Sequence, residues 1–290
     1  MRSEKEMFDM ILDYARRDER VRVVAMNGSR ANPNIQADKY QDFDIVYLVN
    51  QMDSFLSDDS WLEVFGKRVI MQKPDSMSQT PPNAGRSFAW LMLFEDGNRI
   101  DLTLLPLEQL ETYLNQDSLL QILLDKDRRV PALPPSTDAD YWVRRPTPTM
   151  FENCCNEFWW LSTYVAKALA RQQLPYANAH LNLMREELMR MLGWHCGFGK
   201  GFTFTLGKDY KFLQKYVAEE YWLQLLRTWR MDGFEPTRTS LNACLKLFRK
   251  SSRSVAQLSG YPYPDYDAKV TAYLMRTFDT EQSSARTNEP

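Results

Sequence analysis

The chain holds only two histidines, His180 and His195, and four cysteines, Cys154, Cys155, Cys196 and Cys244. A Ser-His-Asp triad or a histidine-rich metal site would have to use one of those two histidines, and both read as packing residues on helices. The cysteines form no CxxC pair and two are adjacent, which suits neither a disulfide framework nor a zinc ribbon, so they read as reduced core residues. Long apolar runs are missing as well. The longest, Phe88 to Phe94, is far too short to span a bilayer, and Met1-Arg2-Ser3-Glu4-Lys5-Glu6 lacks the basic-then-apolar order of a signal peptide. A cytoplasmic location with no membrane partner is the expectation. No charge of one sign dominates either: a net charge of -2 and a pI near 5.9 give no basic footprint, which argues against nucleic acid as a partner.

What is present suits a self-folding chain of two packed domains: 290 residues, 44% hydrophobic, 13% aromatic and 26% charged, with no internal repeat or low-complexity tract. Ser3 with Glu6 forms a capping box ahead of Met7, Met10, Ile11 and Tyr14 at helical spacing. Val21 to Met26, Phe43 to Val49, Arg68 to Gln72, Phe88 to Phe94 and Arg99 to Leu105 read as strands. A helix is expected between Asp53 and Gly66, and a hairpin turn at Glu95-Asp96-Gly97-Asn98. Past Pro146 strands give way to aromatic-rich helical segments, predicted over Phe151 to Arg171, Ala177 to Trp194, Lys208 to Val217, Glu219 to Trp229, Thr237 to Lys250 and Asp265 to Phe278. Residues 1–145 are therefore expected to form an α+β domain with a mixed sheet, residues 146–279 an all-α bundle, and residues 280–290 a polar, disordered tail.

The residues that point to chemistry are Gly28-Ser29 after the first strand, Asp42-Phe43-Asp44 at the head of the second, and Asp101 in a later apolar strand. Residues i and i+2 of a strand share a face, so Asp42 and Asp44 point together while Phe43 and Ile45 enter the core. Two adjacent carboxylates repel, and a hard divalent cation such as Mg2+ resolves the conflict. Asp101, flanked by Leu102, Leu104 and Leu105, is costly unless paired or metal-bound and is the natural third carboxylate. Gly28 permits a tight turn, and Ser29 with its amide, helped by Arg30, can face a phosphate at the start of a following helix. A lone Asp-x-Asp or Gly-Ser means little; the combination is what points to a metal-dependent site.

These strings, together with Gln72-Lys73-Pro74, Ile100 to Pro106, Cys154 to Trp159 and Leu206 to Phe212, cover most of the chain in order. They make the sequence similar to the DNA polymerase beta-like nucleotidyltransferases, and within them to the aminoglycoside 6-adenylyltransferases that inactivate streptomycin. One departure is Gln172-Gln173, where that family often has Lys-Glu. The resemblance implies a nucleotidyltransferase domain followed by a helical domain that binds nucleotide and substrate between them. It further implies attack of a substrate hydroxyl on the α-phosphorus of ATP with two Mg2+ ions, Asp42, Asp44 and Asp101 as metal and catalytic residues, and Asp101 as general base. In related transferases basic residues of the helical domain reach the triphosphate, which nominates Lys167, Arg171, Lys208 and Lys211, although each also reads as a solvated surface cation.

A cationic sugar calls for carboxylates and aromatic walls, which nominates Glu152, Glu157, Trp159, Trp160 and Tyr164. For the three aromatics a plain core role stands beside that reading. The expected partners are ATP and streptomycin, and the expected state is a monomer or weak homodimer. Another small hydroxylated acceptor, and a regulatory nucleotide-binding pseudoenzyme, remain alternatives; the latter would be expected to lack one of the three carboxylates.

Overall fold

The computed structural model describes residues 1–77 and 87–287, with side chains through 278. The chain divides into two compact units, Met1–Asp140 and Tyr141–Pro290.

In the first unit Ser3 caps helix α1 (Glu4–Arg17) through the reciprocal bonds of a capping box with Glu6, and Met7, Ile11 and Ala15 form its buried stripe. Strand β1 (Val21–Asn27) runs into a 3-10 turn over Gly28–Ala31, followed by β2 (Phe43–Val49). The helix expected between Asp53 and Gly66 is instead one short helix, α2 (Asp53–Leu56), and a 3-10 stretch over Ser60–Phe65. Strands β3 (Arg68–Gln72), β4 (Phe88–Phe94) and β5 (Arg99–Pro106) follow, then α3 (Leu110–Leu114) and β6 (Leu120–Asp125). The turn between β4 and β5 is the hairpin that Asp96-Gly97 dictates, with Gly97 at φ +84 and the Phe94 amide donating to the Asn98 carbonyl at 2.9 Å.

The six strands make one mixed sheet in the order β3-β4-β5-β2-β1-β6, with β2 and β5 parallel and the other pairs antiparallel. Alternation along β2 sorts its side chains onto two faces. Phe43, Ile45, Tyr47 and Val49 pack with α1 and the aromatic residues that follow α2. Val46 and Leu48 pack with Leu107, Tyr113 and Leu120 on the other face, the face that Asp44 shares by parity.

In the second unit Thr147 caps α4 (Pro148–Ala170), its hydroxyl accepting from the Met150 amide, and Pro148 sits in the first turn where its missing N–H costs nothing. Helices α5 (Leu174–Lys200), α6 (Leu213–Tyr216), α7 (Glu219–Leu226), α8 (Phe234–Ser259) and α9 (Tyr266–Thr287) complete it. Their common core includes Phe158 stacked on Phe248, with ring centroids 3.6 Å apart. The backbone of α9 is helical to Thr287, into the expected tail, whose last residues lie outside the described ones. The continuous helix expected over Lys208 to Val217 is broken, because Asp209 and Tyr210 both adopt positive φ after Gly207 at +69. Among the described residues no helix is long and apolar enough to cross a membrane.

Candidate active site

Parallel pairing of β2 with β5 places Asp44 directly beside Asp101, and Phe43 beside Ile100. One step earlier the same register sets Asp42 beside Arg99, whose Nε lies 3.6 Å from Asp42 Oδ2. All three expected carboxylates therefore gather on one face of two neighbouring strands, each partly exposed, while Phe43 and Ile45 are buried on the other. The Asp44 carboxyl is pushed up to about 6, first by burial and then by the negative charges of Asp101 and Asp42, with Arg99 and Arg30 offsetting part of the effect.

Arg99 is the cation at the centre of this group. Its guanidinium holds Asp101 with two parallel bonds, Nε to Oδ1 at 2.7 Å and Nη2 to Oδ2 at 2.8 Å, a bidentate arrangement stronger than a single contact. In this arrangement no three acidic, histidine or cysteine side chains among the described residues enclose a metal position. The donor set itself, three carboxylates with hard oxygens and mutual repulsion only partly relieved at Asp44, is the chemistry a divalent cation such as Mg2+ takes.

Gly28 is placed against this cluster. It opens the turn after β1 at φ +70, and a Cβ on it would lie 2.1 Å from Asp44 Oδ2, so glycine fits both the conformation and the approach while any side chain there would have to displace the Asp44 carboxylate. Asn27 anchors the turn from behind: its amide nitrogen donates to the Leu119 carbonyl at 3.0 Å, and the Tyr113 hydroxyl donates to its oxygen. Ser29 follows Gly28, but the helix expected after it is a single 3-10 turn. Anything Ser29 does is local amide chemistry, since so short a turn builds no helix dipole.

Arg30 is held within the first unit. Its Nε donates to the Asp42 carbonyl at 3.0 Å and its Nη2 to the Gln41 carbonyl at 2.8 Å, while Nη1 pairs with Glu4 at 3.1 Å and the guanidinium lies over the Phe43 ring. It clamps the chain that delivers Asp42 rather than presenting a free charge.

The second unit carries two cavities that share Met150, Arg190 and Trp194. One, of about 480 Å³, is lined by Asn153, Asn156, Glu157 and Glu187. Glu187 is almost fully buried, with Oε2 3.1 Å from Arg190 Nη1, and burial pushes its carboxyl up. The other, of about 580 Å³, is lined by Arg144, Gly207, Lys208 and Tyr210. The left-handed residues Gly207, Asp209 and Tyr210 form the bend that carries Lys208 to that wall, and non-glycine residues hold such angles only where surroundings enforce them.

Of the other expected contacts, Glu157, Trp160 and Tyr164 fall on one stripe of α4 with Asn153, at helical spacing. Trp160 is 58% exposed and donates to the Tyr164 hydroxyl at 3.0 Å. Trp159 lies on the opposite side of the helix, 1% exposed, edge-on to Phe158 and Phe248. It is packed as a core residue. Glu152 is exposed but off the Glu157 stripe. Lys167, Arg171 and Lys211 are exposed, Lys167 near the Tyr273 ring and Lys211 near that of Phe212; none of the three lines either cavity.

Sequence reasoning passed over Arg99, Glu187 and Arg190. The first was within reach, since Arg99 and Asp101 are i and i+2 on one strand and must share a face.

Residues 1–277 match the streptomycin adenylyltransferase family. An aminoglycoside 6-adenylyltransferase of Bacillus subtilis (strain 168) is 47% identical over 94% of this chain and 97% of its own length. Proteins of the same name from Campylobacter jejuni and Staphylococcus aureus are 48% and 38% identical, over 95% and 96% of this chain and 96% and 100% of theirs. A crystal structure of an aminoglycoside 6-adenyltransferase from Bacillus subtilis matches 96% of this chain and 99% of its own at 42% identity, with a TM-score of 0.48.

Proposed function

The chain belongs to the streptomycin adenylyltransferase family, and on that premise we propose that it moves the adenylyl group of ATP to a hydroxyl of an aminoglycoside, the 6-hydroxyl of the streptidine ring of streptomycin, and so confers resistance. The observation that carries this reading is the in-register pairing of Asp44 with Asp101 beside Asp42 and the Gly28 turn. In this reading the first unit is the transferase domain and the second binds nucleotide and acceptor.

Asp42, Asp44 and Asp101 are the residues to hold Mg2+, which when bound neutralises phosphate charge and stabilises the attacking and leaving oxygens. The acceptor oxygen bonds to the α-phosphorus, the bond from that phosphorus to the bridging oxygen breaks, and pyrophosphate departs with the electron pair. A carboxylate oxygen of Asp101 takes the hydroxyl proton. Gly28 and Ser29 bring backbone amides to the phosphates, and Arg30 keeps Asp42 in place through the two carbonyls it binds.

Acceptor recognition is assigned to the cavity lined by Glu157 and Glu187, whose carboxylates and neighbouring Asn153 and Asn156 amides suit a hydroxylated polycation. Trp160 and Tyr164 extend the same stripe. Lys208, which lines the other cavity together with Arg144, is assigned to the triphosphate.

The test is to incubate the protein with ATP, Mg2+ and each of a panel of aminoglycosides, following pyrophosphate and acceptor mass. Streptomycin is expected to gain one adenylyl group per pyrophosphate released. Transfer only to an unrelated acceptor would reject the proposed substrate.

A further inference from the structure

We propose that Arg99 is an internal counter-ion of the carboxylate cluster and competes with the divalent cation for Asp101, so that removing it tightens cation binding while weakening the protein without cation. The cation part rests on the adenylyltransferase reading; the competition itself rests on geometry.

Both oxygens of Asp101 are engaged by the Arg99 fork, at 2.7 and 2.8 Å, and the same Nε lies 3.6 Å from Asp42. A hard cation binds carboxylates through the same oxygen lone pairs that a bidentate guanidinium uses. The two cannot both be fully satisfied at Asp101. The strand geometry favours the placement, because Arg99 is i−2 to Asp101 on β5 and so shares its face, one step before the Phe43–Ile100 pair and 3.6 Å from Asp42. Arg30, the other nearby cation, cannot substitute, since its nitrogens are spent on the Gln41 and Asp42 carbonyls and on Glu4.

The pair is also built to let go. The Arg99 side chain is 40% exposed and that of Asp101 21%, so the guanidinium can leave into solvent without disturbing the core, and a partly exposed ion pair is cheap to exchange. An ordinary structural salt bridge predicts something different. Its loss would weaken the protein and leave cation affinity unchanged or lower, whereas a competitor's loss moves stability and affinity in opposite directions.

The test uses the full chain, stripped of metal with EDTA and exchanged into buffer, with Mn2+ binding followed by electron paramagnetic resonance in the absence of nucleotide. Arg99→Gln is expected to bind Mn2+ about tenfold more tightly than wild type, the order expected when one competing charge is removed. It should also melt at a lower temperature in EDTA and recover on adding Mn2+. Arg99→Lys, which keeps the charge but not the fork, should fall between the two. Circular dichroism before titration establishes that each variant is folded. Equal or weaker Mn2+ binding by folded Arg99→Gln overturns the proposal, as does tightening that survives Asp44→Asn in the same chain, because the ion would then sit elsewhere. No ATP or acceptor enters this measurement, so it and the transfer assay can fail independently.

Discussion

Asp44 sits on β2 with burial and two neighbouring carboxylates all opposing its charge, and its carboxyl is pushed up to about 6 from an ordinary 3.8. A carboxyl whose folded pKa is raised binds protons more tightly in the folded state, so it penalises folding once ionised. The penalty is absent below about pH 4, grows through pH 6 and is full above it, at about 2 kcal/mol after allowance for partial exposure. Asp44→Asn should therefore melt higher than wild type at pH 7.5 in EDTA, with the difference shrinking to nothing near pH 4. Thermal unfolding across that range checks it, and a variant less stable than wild type at pH 7.5 would show that Asp44 is not strained. Period-two alternation made the shared face of Asp42 and Asp44 legible in the sequence. The pairing of Asp44 with Asp101 was not, because strand order and register are set by packing across many residues. The charge of Arg30 was visible in the sequence, but the backbone carbonyls that hold its guanidinium were not.

At the scale of elements, the turn after β1 is the piece on which the cluster depends. Gly28 holds φ +70 and approaches Asp44 to a distance that a methyl group cannot share. Gly28→Ala should cost about 1 to 2 kcal/mol in stability, from the left-handed backbone and the close contact together, and lower turnover by far more than it shifts the melting temperature. A melting scan beside a rate measurement decides this; unchanged activity would mean that the turn is not part of the site. Strands β1 to β5, α1 and the β4–β5 hairpin were readable because alternation, capping and Asp-Gly turn chemistry agree there. Strand β6 was not, since Leu120 to Leu124 is a short apolar run that suits a buried helix as well as a strand. The break at Asp209 and Tyr210 was hidden too: only Gly207 advertises positive φ, and tertiary contacts impose it on the two residues that carry no such signal.

Across the whole molecule, opposite charge is gathered in different places although the chain is nearly neutral. Acidic groups concentrate at the β2–β5 cluster and at Glu157 and Glu187, while Arg144 and Lys208 line the other cavity of the helical unit. Whole-chain charge was silent on such local pockets. If the acidic cavity seats the cationic acceptor, Glu157→Gln should raise the acceptor KM about tenfold with kcat and the ATP KM little changed. Steady-state kinetics with each substrate varied in turn reads this directly, and an unaltered acceptor KM would move the acceptor site elsewhere.

The claim from which the rest follows is that the Asp42, Asp44 and Asp101 cluster performs adenylyl transfer. Its most direct measurement is mass spectrometry of streptomycin incubated with ATP, Mg2+ and either wild type or a folded Asp101→Asn protein, sampled over time. Wild type should convert the antibiotic to its singly adenylylated form while Asp101→Asn is slower by about a thousandfold or more. A folded Asp101→Asn protein that transfers AMP at close to the wild-type rate would contradict it.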